Sequence, residues 1–183
     1  GVTGVQTCAL PICLQLAFLM VGSDQPEQLL PRIEPSQIEI WRQTDMSTAS
    51  RLQSDPNMWI PFGQMAGLVL KNALLRPPIQ QSGRPLSLEN EISNHMKETL
   101  LYGLSLNHAA LRNVISSIIA TSSVSHDGVQ PYLHIGQWPQ LMPVLLQNLH
   151  PNNANNLSTL QGSLSTIKKM MEDGPNEIPT QHL

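Results

Sequence analysis

Three helix-length apolar stripes, over 65–75, 111–119 and 157–171, recur about 46 to 48 residues apart, each bounded by a turn-rich break. A pitch of that size is the mark of a helical solenoid of the HEAT or armadillo kind, in which each helix pair buries its apolar face only against its neighbours. The expected fold class is therefore all-α, an α-α superhelix comprising about two and a half HEAT repeats.

The helices between and within these stripes are legible from spacing and punctuation. Met65, Leu68, Val69 and Leu75 fall near one face of a helix that Pro77-Pro78 stops, because proline lacks the N–H and clashes with the preceding turn. Ser87 is a candidate N-cap, with Glu89 and Glu91 in a first turn where the helix dipole favours anions. Ile92, Met96, Leu100 and Leu104 then step by four along a second helix. Asn107 is a candidate cap for a third, whose Leu111, Val114, Ile115 and Ile118 form a stripe that runs out before the turn His126-Asp127-Gly128.

Trp138-Pro139 opens a fourth helix carrying Leu141, Met142, Leu145, Leu146 and Leu149 on one face. Pro143 bends it unless it lies within the first turn. After His150-Pro151 and an Asn-rich turn, a fifth helix places Leu157, Leu160, Leu164, Ile167 and Met171 on one side and ends at Gly174-Pro175. The repeats are thus assigned to 63–178: an inner helix of the first repeat over 63–76, a second repeat over 87–123, a third over 138–173, and a tail over 179–183.

The first 62 residues show no comparable period. The run from Val2 to Ile12 resembles the conceptual translation of a library adapter, so 1–13 is set apart as a non-native leader. Residues 14–62, punctuated by Pro26, Pro31, Pro35, Pro56 and Pro61, are left unassigned, as either out-of-frame sequence or a loosely ordered extension.

Charge and chemistry narrow the function. Charged residues make up 13% of the chain, against roughly 25% in ordinary globular proteins. Residues 1–63 hold three basic and six acidic groups, and 64–183 hold seven of each. That neutrality, with few aromatics, argues against nucleic-acid binding, which needs clustered Lys and Arg. The apolar run from Cys8 to Val21 lacks a basic flank and is too short to span a bilayer, so no membrane partner is expected. Cys8 and Cys13 have no His or Cys partner at ligand spacing, and the six histidines are dispersed, so neither a metal nor a cofactor is expected. No serine in a Gly-x-Ser-x-Gly elbow accompanies His126-Asp127, and no phosphate-cradling glycine loop is present. The sequence offers apolar stripes rather than convergent acid and base groups, which points to a non-enzymatic scaffold.

Four patches also resemble a family. Gln64-Met65-Ala66-Gly67-Leu68-Val69-Leu70-Lys71-Asn72 is similar to the inner helix of the first repeat in the importin-β superfamily of nuclear transport receptors. Leu111-Arg112-Asn113-Val114, continuing to Ala120-Thr121, resembles the second inner helix, and Trp138-Pro139-Gln140-Leu141-Met142-Pro143 the opening of the third repeat. Gln161-Gly162-Ser163-Leu164 and Lys168-Lys169-Met170-Met171-Glu172-Asp173 are most like the transportin branch. The match covers about 64–178 and departs from the family in the loop 76–87, in the polarity of 162–166, and at Gly63, where a basic residue is usual.

The resemblance implies the N-terminal repeats of a longer nuclear import receptor that shuttles between cytoplasm and nucleus. It implies three partners: a Ran-type small GTPase in its GTP form on the concave inner helices, cargo with nuclear localisation signals mainly on later repeats, and nucleoporins. Polar positions off the apolar stripes, Lys71, Arg112, Lys168, Lys169, Glu172 and Asp173, are the candidate partner contacts. Lys71-Asn72 also suits a helix C-terminus, where a cation complements the dipole. Trp138 suits packing between helices better than a binding hot spot. The alternative readings are another importin-β family member, or a HEAT scaffold or regulatory subunit of another complex, such as a phosphatase scaffold.

Overall fold

A computed structural model describes residues 3–24, 58–75, 90–125, 131–151 and 156–174. The described residues form six α-helices and no strand: α1 (Thr3–Gly22), α2 (Trp59–Leu75), α3 (Asn90–Gly103), α4 (Ala109–Ser123), α5 (Leu141–Asn148) and α6 (Leu157–Asp173), with a 3-10 turn over Ile135–Gln137 before α5. The all-α expectation holds at that level.

The helices meet as neighbours. α4 packs against both α2 and α6, while α1 packs on α2 and α3, α3 touches α4, and α5 lies on α6. One continuous core results, running from Ala17 and Met20 of α1 through Leu70 and Leu74 of α2, Met96 and Leu100 of α3, and Ile115, Ile118 and Ile119 of α4 to Trp138, Leu141 and Leu145 around α5. The stripes read for α3, α4 and α5 are the faces that are buried: Met96, Leu100, Leu104, Leu111, Ile115, Ile118, Trp138, Leu141, Met142 and Leu145 all lie inside.

Two stripes do not. Met65, Leu68 and Val69 are 62%, 50% and 48% exposed, and α2 instead buries Trp59, Gly63, Ala66, Gly67, Leu70 and Leu74. The reason is closeness: a methyl on Gly67 would collide with Val114 of α4 and lie 2.7 Å from the Met20 sulfur of α1. α2 turns its small side chains to its neighbours because only they let two backbones approach. α6 behaves alike, with Gly162, Ser163, Thr166, Ile167 and Met170 inside and Leu157, Leu164 and Met171 outside.

Helical structure is also described before residue 63. α1 occupies part of both the leader and the unassigned stretch; it is apolar around its whole circumference, so no 3.6-residue contrast marks it. Pro61 does not break α2, because it occupies the first turn, where an N–H has no intrahelical partner to lose. The tight seat of α1 also bears on Gly63, whose Cβ would lie 2.6 Å from the Ser23 Cβ. A basic side chain there has no room.

Helix ends follow local chemistry. The α4 N-cap position is His108, not Asn107, and its side chain makes no capping bond. The cap comes from a distance: Asp24, just beyond α1, accepts the backbone N–H groups of Asn107 at 3.1 Å and His108 at 2.9 Å. Its carboxylate thus sits where the α4 dipole is positive. Asp24→Asn keeps the shape and removes the charge, and is expected to lower stability by about 1 kcal/mol in urea unfolding; an unchanged midpoint would show that this clasp contributes nothing.

α5 starts at Leu141, after Trp138-Pro139, and its first helical bond runs from Val144 N–H to the Gln140 carbonyl at 3.1 Å. Pro143 therefore lies in the first turn and bends nothing. Asn156 caps α6 by accepting the Thr159 N–H at 3.1 Å. The Ser87 cap and the His126-Asp127-Gly128 turn lie outside the described residues.

Candidate partner-binding surface

Of the six candidate contact residues, Arg112 is placed inside the protein. It is 7% exposed and its guanidinium works as an internal clamp. Nη1 donates to the carbonyls of Leu106 and Asn107, both at 2.6 Å, and to Ser158 Oγ at 3.3 Å; Nη2 donates to Gln161 Oε1 at 3.0 Å. One side chain of α4 thereby ties the turn that leaves α3 to the first turns of α6. A partner cannot engage it without dismantling that joint, which corrects its assignment as a contact.

The other five remain toward solvent, and three helices bring them into relation. Lys169 of α6 reaches back to α4, where its Nζ donates to the Asn113 carbonyl at 3.0 Å and to Ser117 Oγ at 2.8 Å. Its pKa is lowered, first by desolvation and then by the positive charge of Lys71 on α2, against the opposing pull of Glu172 and Asp173. Lys71 is thus within electrostatic reach of Lys169, although the two stand far apart in the chain. Lys168 and Glu172 are exposed and pair at 3.8 Å along α6, an i,i+4 contact worth only about 0.3–0.5 kcal/mol.

A polar line therefore runs from Lys71 on α2 across Asn113 and Ser117 on α4 to Lys169, Glu172 and Asp173 on α6. Asn113 and Ser117 were missed by the sequence reading; their signal is the pair of polar positions on the side of α4 away from its apolar stripe. Lys169 spends two of its three donors inside the protein and keeps one, so its ammonium is held in place rather than free to sweep. Beside this line α2 exposes Met65, Leu68 and Val69. A held cation next to exposed apolar side chains is what a protein partner uses: charge for steering and register, apolar area for affinity.

The seam beneath the line is knit by small polar groups. The Gly162 carbonyl accepts Ser116 Oγ at 3.1 Å and Thr166 Oγ1 at 2.8 Å, and Asn148 Nδ2 of α5 donates to Ser163 Oγ at 3.0 Å. That accounts for Gly162, Ser163 and Thr166 in the polar run 162–166: they face the joint between helices, where the Gly162 carbonyl, Ser163 and Thr166 find partners.

Elsewhere, Lys97 donates to the Gln137 carbonyl at 2.8 Å, tying α3 to the 3-10 turn, and burial lowers its pKa. Burial pushes the Cys13 thiol up and, aided by Cys13, holds the Tyr132 phenol at about 12. Both groups therefore stay neutral at physiological pH, as suits side chains packed at the core. Among the described residues no group of three His, Cys, Asp or Glu side chains is placed to hold a metal ion, and no helix is long and apolar enough to cross a membrane. Compared with protein-family profiles, curated proteins and solved structures, the chain matches none.

Proposed function

We propose that the chain is a HEAT-type helical solenoid from the N-terminal part of a nuclear import receptor, acting by non-covalent binding, with the polar line across α2, α4 and α6 taking up a Ran-type small GTPase in its GTP form. The observation that carries this reading is the pairing pattern. α4 packs against both α2 and α6, as successive inner helices of such a solenoid would, and α1, α3 and α5 pack on α2, α4 and α6, as outer helices would. The resemblance of α2, α4 and α6 to the first three inner helices of importin-β-type receptors supports the same assignment, and α1 then occupies the place of the first outer helix. Cargo and nucleoporins belong, on this reading, to the complete receptor.

The test is binding of the full chain to an immobilised Ran-type GTPase loaded with a non-hydrolysable GTP analogue or with GDP. Binding is expected only to the GTP form, and Lys71→Glu is expected to weaken it at least tenfold while leaving the helical circular dichroism unchanged. Equal binding of both nucleotide states, or indifference to Lys71→Glu, rejects the assignment.

A further inference from the structure

We draw no further inference here: the strongest candidate, the side-chain cluster of Lys71, Ser117 and Lys169 across α2, α4 and α6, belongs to the partner-binding surface already described and points to no ligand beyond it.

Discussion

Arg112→Ala is expected to lower stability by about 3 to 5 kcal/mol, the cost of deleting one partner from a buried charged network. Four neutral oxygens depend on this guanidinium: the carbonyls of Leu106 and Asn107, Ser158 Oγ and Gln161 Oε1. The Leu106 contact is fully buried, so its carbonyl is left without water as well as without a donor, and the truncated side chain leaves a void between α4 and α6. Arg112→Lys keeps the charge but not the fork, since a single ammonium cannot serve the two carbonyls and also span to Gln161; its loss is expected to fall between the two. The measurement is the thermal midpoint, which should drop on the order of 10 °C for Arg112→Ala. A surface arginine waiting for a partner would give almost no change, and that result would return Arg112 to the binding surface.

Gly162→Val is expected to cost about 3 kcal/mol, and Gly162→Ala to destabilise by about 1 to 2 kcal/mol. The sign of the alanine change is the informative part. At an open site in a helix, replacing glycine by alanine stabilises by about 1 kcal/mol. Here the added Cβ would stand 2.7 Å from the Leu104 carbonyl oxygen and 3.2 Å from the Leu104 Cα, backbone atoms of the turn after α3 that cannot swing aside. The same carbonyl-bearing turn holds the Arg112 clamp, so pushing α6 away strains both. Chemical denaturation of Gly162→Ala decides the matter: a raised midpoint would mean that α6 does not sit on the α3–α4 turn.

These two sites mark where reading along the chain succeeded and where it failed. The stripes of α3 and α4 were legible because large aliphatic side chains at helical spacing meet other large side chains, so hydrophobicity itself records the buried face. α2, and α6 apart from Ile167, were read on the wrong face for a physical reason. At close helix crossings the buried positions are Gly, Ala, Ser and Thr, which add little to a hydrophobic stripe, while Met65, Leu68, Leu157 and Leu164 stand outside. Arg112 was read as a surface residue because arginine usually is one. Its place between Leu111 and Ile115, both fully buried, was the available signal.

The polar line was half legible. Lys71, Lys169, Glu172 and Asp173 were visible as charges off the stripes, but that Lys71 and Lys169 share one neighbourhood depends on α4 lying between α2 and α6. No local pattern encodes that distance. Asp24 is a sharper case, since its role as the α4 cap is a contact across more than eighty residues.

What the sequence determined alone is part of the inventory: helices rather than strands from α2 onward, some of their ends, and the apolar faces of those that bury large side chains. It could do so because helical period, proline position and capping residues act over a few residues. Only the tertiary structure decided which faces of α2 and α6 are buried, that an apolar helix at the start of the chain docks on α2 and α3, and that Arg112 turns inward. Those outcomes depend on how closely two backbones approach, and that distance is set by the fit between helices far apart in the chain.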